Sequence, residues 1–303
     1  MISVEHLTQH YGRFTAVDNV SFTAATGRVT GFLGPNGAGK STTMRIMVGL
    51  TRPSAGRATI AGHDYRDLAN PGLEVGVLLD ASAQHAGRTG REILAVAAHT
   101  MGLPRSRVTE TLARVGLTDD EAQRRVRNYS LGMRQRLGLA TALIGDPQVL
   151  ILDEPANGLD PAGIRWMRDL LRGFADDGGT VLLSSHLLHE IEVIADDLVV
   201  IGQGRIVAEG SKADLLAAAG TLVRTADVDR LARALHEAAV VTTPVDGGLR
   251  ADADPELVGE TAHRAGVALH ELRPADGAGL EEMFLQLTAQ TSRDETALEG
   301  AAA

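Results

Sequence analysis

The chain has 303 residues, 44% of them hydrophobic, no cysteine and a formal net charge of −10. The length suits one large domain and a small one, and the missing thiols exclude disulfides, thiolate metal sites and cysteine nucleophiles. Residues 220–303 hold 15 acidic and 7 basic groups, against 24 and 22 before them, so neither part is the basic surface of a duplex nucleic-acid binder.

Ile2 to Leu7 and Val17 to Thr23 alternate apolar and polar residues and read as strands of an antiparallel layer. Tyr11 lies between them, just before Gly12; an aromatic there suits stacking on a nucleotide base or packing at a strand end. Val29 to Leu33 reads as a buried strand. It runs into Gly34, Pro35, Asn36, Gly37, Ala38, Gly39, Lys40, Ser41 and Thr42, which fit the phosphate-loop pattern G-x-x-x-x-G-K-[ST] at every fixed position. Glycines let successive N–H groups curl inward toward phosphate oxygens. Lys40 is a mobile charge for the β- and γ-phosphates, Ser41 a hydroxyl for Mg²⁺, and a helix over Ser41 to Leu50 offers its positive end to the same anion. Only Lys40 and Lys212 are lysines in this arginine-biased chain, so a lysine at this place answers a chemical need.

Pro53, Ser54 and Gly56 mark a turn, and Ala58 to Ile60 and Val75 to Leu79 are further strands. Residues 81–90 carry no readable pattern; from Arg91 to Gly145 the character is helical, with Thr118 to Glu121 a capping box. Arg124, Arg125, Arg127, Arg134 and Arg136 crowd the following segment and suit solvated helix faces or contacts to a partner or phosphate. Val149 to Leu152 is a continuous apolar run, a buried parallel strand that delivers Asp153 and Glu154 at its C-terminal end. Behind a phosphate loop these two carboxylates suit Mg²⁺ binding and activation of a water, respectively. Gly163 to Phe174 is an amphipathic helix, Thr180 to Leu183 the next buried strand, and His186 follows at its edge, in reach of a γ-phosphate or simply structural. Leu187 to Ala195 continues as helix, and Leu198 to Ile201 with Arg205 to Ala208 forms a hairpin.

Tyr11, GPNGAGKST at 34–42, YSLGMRQR at 129–136, VLILDEP at 149–155, NGLD at 157–160 and His186 stand in an order that resembles the nucleotide-binding subunit of an ABC transporter, over about residues 1–215. The YSLGM form resembles the drug-export branch, that of daunorubicin-resistance and bacitracin- or lantibiotic-exporter ATPases. The resemblance implies an α/β phosphate-loop cassette: a parallel core sheet, an antiparallel β layer and a helical subdomain at about 82–145, within a domain of residues 1–218. It implies ATP and Mg²⁺ as cofactors and a homodimer closed head-to-tail on two nucleotides. It implies a separately encoded membrane permease as partner, no nucleic acid, and a cytoplasmic place on the inner face of the membrane. That place agrees with the absence of any apolar run near the roughly 18 residues that span a bilayer and of a leader segment. Carried over residue by residue, Ser130 and Gly132 would bind the γ-phosphate held by the opposite subunit, Gly158 and Asp160 would meet that subunit, and His186 would be the switch histidine. Two departures stand out. Leu131 and Met133 replace a glycine and the glutamine of LSGGQ, and Asp80 occupies the place of a glutamine that touches Mg²⁺ and couples to the permease, with Gln84 nearby but off register.

Beyond Leu216 the pattern is βαββαβα: strands at Leu222 to Arg224, Ala239 to Thr243, Leu249 to Ala251 and Val267 to Leu272, and helices at Val228 to Glu237, Glu256 to Arg264 and Leu280 to Leu287. It resembles a small ferredoxin-like unit over 219–288, followed by a polar tail at 289–303 expected to be disordered. Rival readings are a soluble ABC protein of repair, chromosome maintenance or translation, an importer subunit, and an ATP sensor. The missing cysteines, the short stretch between Lys40 and Ser130, and the single cassette argue against the first.

Overall fold

The structure, a computed structural model, describes residues 1–185, 188–217, 220–245 and 247–274. They form two compact units that divide between Glu209 and Gly210. The first opens with β1 (Ile2–Tyr11) and β2 (Phe14–Ala24), then β3 (Val29–Leu33), α1 (Lys40–Met47), β4 (Ala55–Ile60), α2 (Pro71–Glu74) and β5 (Val75–Leu78). The helices α3 (Gly90–Thr100), α4 (Ser106–Arg114), α5 (Asp119–Gln123) and α6 (Leu131–Leu143) come next. They are followed by β6 (Val149–Leu152), α7 (Pro161–Asp176), β7 (Thr180–Ser184), α8 (Leu188–Ile194), β8 (Asp197–Gly202) and β9 (Arg205–Ser211).

Six strands form the central sheet in the order β5-β6-β7-β3-β8-β9, with parallel pairing from β5 through β8. β3, β6 and β7 are buried along their whole length, as a sheet covered on both faces requires. β2-β1-β4 is a separate antiparallel layer, joined to the core through the Phe22 and Phe32 rings, whose centroids lie 5.1 Å apart. The three strands of this layer are longer than expected: β1 runs on to Tyr11, opposite Phe14, so the tyrosine ends a strand instead of lying between two.

The unpatterned stretch 81–90 is a loop closed by a capping box of its own, Thr89 with Glu92, which starts α3. The box at Thr118 and Glu121 opens α5 as expected. Of the crowded arginines, Arg124, Arg125 and Arg127 are exposed. Arg136 instead lies 4.4 Å over the Trp166 ring and donates to the Val115 carbonyl at 2.8 Å.

The second unit continues with α9 (Lys212–Ala217), β10 (Thr221–Thr225), α10 (Val228–Glu237), β11 (Thr242–Val245), β12 (Gly248–Ala251), α11 (Pro255–Arg264) and β13 (Leu269–Pro274). Its antiparallel sheet has the order β11-β12-β10-β13, the interleaved topology of a ferredoxin-like fold. β11 and β13 begin two to three residues later than the sequence pattern suggests. Ala239 (φ 59) and Gly266 (φ 64) end the two helices in left-handed turns, and the amides of Val240 and Val267 return to Leu235 and Ala262. Pro244 is tolerated because β11 is an edge strand. The helix expected at 280–287 and the tail at 289–303 lie outside the described residues.

Two glycines set opposite limits on packing. A Cβ at Gly76 in β5 would stand 2.2 Å from the Ala142 carbonyl of α6, whereas one at Gly173 in α7 meets nothing within 4 Å. Gly76→Ala should therefore lose about 1–3 kcal/mol through overpacking, and Gly173→Ala should gain up to about 1 kcal/mol of helix propensity. Urea midpoints of the two variants should move in opposite directions.

Candidate functional site

The loop from β3 to α1 is gripped from two sides. A Cβ on Gly34 would stand 2.4 Å from the Ile201 carbonyl of β8, and one on Gly39 would stand 2.6 Å from the Ala16 carbonyl of β2. Gly39 also has φ +111 and is the residue from which α1 starts, a conformation open to glycine and costly for other residues. Lys40 is buried at 7% exposure, and its Nζ donates to the carbonyls of Gly34 at 2.6 Å and Pro35 at 3.2 Å. Burial lowers its pKa, and the charges of Glu154 and Asp153 oppose that shift.

The acidic half of the site comes from the C-terminal end of β6. The Asp153 amide donates to the Leu78 carbonyl of β5 at 2.7 Å. One oxygen of its carboxylate accepts from the Ser41 hydroxyl at 2.6 Å, and the other accepts from the Ser184 hydroxyl at the end of β7. Glu154 takes a left-handed backbone conformation, φ 51. Its amide donates to Ser184 Oγ at 3.1 Å, and its carbonyl accepts from Gln135 Nε2 at 2.8 Å. A cavity of about 400 Å³ unites these groups, lined by Tyr11, Phe14, Asn36, Lys40, Asp153 and Glu154 among others. Gly37, Gly39, Ser41 and Thr42 also border it. Tyr11 and Phe14, opposite each other at the hairpin end, are 49% and 50% exposed, a pair of exposed rings bordering the same cavity as Lys40 and the two carboxylates.

The Ser41 hydroxyl and the Asp153 carboxylate are hard oxygen donors that meet at one point. Such a pair fits Mg²⁺, which takes one or two protein ligands and fills its shell with phosphate oxygens and water. Among the described residues no group of three or more His, Asp or Glu side chains could hold a metal alone.

Asp80 lines a neighbouring cavity of about 440 Å³, together with Gln135, Asp153, Glu154 and Gly158. Its carboxylate accepts from the Ser82 hydroxyl at 2.6 Å and the Ser82 amide at 2.7 Å, and these bonds hold its pKa below the usual carboxylate range. Gln84 points elsewhere, donating to the Arg134 carbonyl of α6 at 3.2 Å. Ser130 N-caps α6 by accepting from the Met133 amide at 3.2 Å. A Cβ on Gly132 would lie 3.0 Å from the Gly158 carbonyl, and one on Gly158 (φ +74) 2.3 Å from Leu131 Cγ. The start of α6 and the loop at 157–160 thus pack on each other, and Asp160 N-caps α7 through the Gly163 amide at 2.8 Å. The residues around Lys40 do not include Ser130, Gly132, Gly158 or Asp160. His186 lies outside the described residues.

Sequence reasoning missed Phe14, Ser184 and Gln135. For Ser184 the signal was present: it directly follows the buried strand read at Thr180 to Leu183. Phe14 is three residues from Tyr11 across a tight turn. Gln135 gave no local signal, since its partner is 19 residues away.

Residues 17–157 match the ABC transporter family, and residues 213–281 match a domain of unknown function. The daunorubicin resistance ATP-binding protein of Streptomyces coeruleorubidus is 36% identical over 96% of this chain and 97% of its own length. The bacitracin transport ATP-binding protein of Bacillus licheniformis is 39% identical over 69% of each. A solved ATP binding subunit of an ABC transporter superposes with a TM-score of 0.65 at 27% identity, over 71% of this chain and 91% of that one. With the phosphate loop, the paired carboxylates and the sheet order in agreement, the chain belongs to the ATP-binding subunits of the ABC transporter family and is an ATPase.

Proposed function

We propose that this subunit hydrolyses Mg-ATP between two copies of itself and thereby drives a separately encoded membrane permease that exports a drug, antibiotic or other hydrophobic compound. The observation that carries the hydrolytic part is the hydrogen-bonded run Ser41–Asp153–Ser184–Glu154, which ties the phosphate loop to the Asp153 carboxylate and to the backbone amide of Glu154. In this reading the amides of Gly37 to Ser41 and the Lys40 ammonium bind the phosphates, and Tyr11 stacks on the base. Ser41 and Asp153 hold Mg²⁺, which neutralises charge on the β- and γ-phosphate oxygens when bound. Glu154 orients the attacking water and takes its proton. Catalysis is chiefly positioning and charge stabilisation of an in-line displacement.

Dimerisation is supported by where the second half of the site lies. The α6 N-terminus is exposed, with Leu131 at 52%, and is not among the residues around its own Lys40. A helix N-terminus capped by Ser130 and opened by Gly132 is an anion site, and a second copy brings it to the γ-phosphate. Gly158 and Asp160 then lie at the contact, and His186 serves the γ-phosphate. Export is supported by the names of the relatives, one of bacitracin transport and one of daunorubicin resistance. No helix among the described residues is long and apolar enough to cross a membrane, in keeping with a cytoplasmic, peripheral subunit on the inner face.

Glu154→Gln should bind ATP, dimerise on it and lose turnover by two orders of magnitude or more, on the scale of lost general-base catalysis, about 10²–10⁴-fold; size-exclusion chromatography with Mg-ATP and a phosphate-release assay read both. Wild-type turnover, or a monomer under all conditions, would contradict the reading. Asp80→Ala should leave ATP binding unchanged and uncouple transport in vesicles that carry the permease. Unaltered transport would remove Asp80 from the coupling path.

A further inference from the structure

We infer that Gln135 is a positioning residue for hydrolysis, its side-chain amide fixing the backbone turn that carries Glu154. The inference rests on the role proposed above for Glu154. Non-glycine residues seldom adopt the left-handed conformation that Glu154 takes at φ 51, and such a turn persists only where its surroundings over-determine it. At least three groups do so here. Ser184, from β7, accepts the Glu154 amide at 3.1 Å, and the Glu154 carbonyl accepts from the Asn157 amide within the turn at 3.2 Å and from Gln135, on α6, at 2.8 Å. Of the two donors to the carbonyl, only Gln135 comes from outside the turn.

Gln135 is 3% exposed; it is not among the residues that line the cavity around Lys40 but borders the neighbouring one with Asp80, Asp153 and Glu154. Its hydrogen bond to the Glu154 carbonyl is the route by which it bears on the reacting group. It stands on the helix that Ser130 caps, four residues beyond Leu131, so one rod carries both the exposed anion-binding end and the anchor of the carboxylate. A shift of α6 against β6 changes the setting of Glu154 directly. Displacing a reacting group by about 1 Å costs on the order of 10²-fold in rate, so one hydrogen bond at this place is enough to couple helix position to turnover.

Steady-state ATPase assays and nucleotide titrations on the purified full-length chain test this. Gln135→Met keeps the length of the side chain and removes the donor. Its kcat should fall about 10- to 100-fold, while KM and the affinity for Mg-ATP stay within about twofold, as expected when only a transition-state arrangement is lost. Adding Gln135→Met to Glu154→Gln should slow turnover no further, because the positioned group is already gone. A wild-type kcat for Gln135→Met beside an inactive Glu154→Gln overturns the inference and leaves Glu154's role intact. Normal turnover of Glu154→Gln removes that role and the inference with it. Parallel losses in kcat and ATP affinity mark a merely structural bond and also overturn it. Should Gln135→Met not fold, Gln135→Leu replaces it, and failure of both to fold counts against the inference.

Discussion

The hydrogen bond between Ser41 and Asp153 joins the two halves of the site. One half is a loop between β3 and α1, the other the end of β6, and 112 residues of chain separate them. Everything that makes the bond possible is backbone packing. β3 and β6 both pair with β7, so their C-terminal ends open on the same edge of the sheet. The glycines at 34 and 39 let the loop lie against β8 and β2 where any Cβ would meet a carbonyl oxygen. A buried Lys40 then carries its charge at the floor of the same cavity, where low dielectric strengthens attraction to phosphate.

The second unit stands apart in chemistry as well as in fold. Its core is Val223, Leu231, Leu235, Leu249, Val258 and neighbouring apolar residues, enough for a small independent layer of two helices on four strands. Its fold and its match to a domain of unknown function assign it no chemistry. The daunorubicin resistance relative matches this chain across both units, whereas the bacitracin transport relative matches over 69% of it.

Much of the cassette was legible in the sequence because its signals are local. The phosphate loop is nine consecutive residues, β6 is an uninterrupted apolar run, and the capping box at Thr118 is written within four residues. What could not be read depends on contacts between distant segments. Gln135 looks like one more polar residue in an arginine-rich stretch until α6 is packed against the end of β6. Asp80 was legible as a departure from the family pattern, but its bonds to Ser82, and the cavity it shares with Glu154, come from the fold. The late starts of β11 and β13 have a different cause: helix exits at Ala239 and Gly266 consume residues whose β-branched or apolar character suggested strand.

The contact between Leu131 and Gly158 constrains how these two positions can change. A methyl group at 158 would run into the leucine, and the leucine stands where LSGGQ has a glycine with no side chain to offer. Variation at either place is therefore tied to the other: the chain can keep a branched residue at 131 only while 158 stays bare. In the proposed dimer, an opposing copy would meet the two as a single moulded facet, not as separate patches.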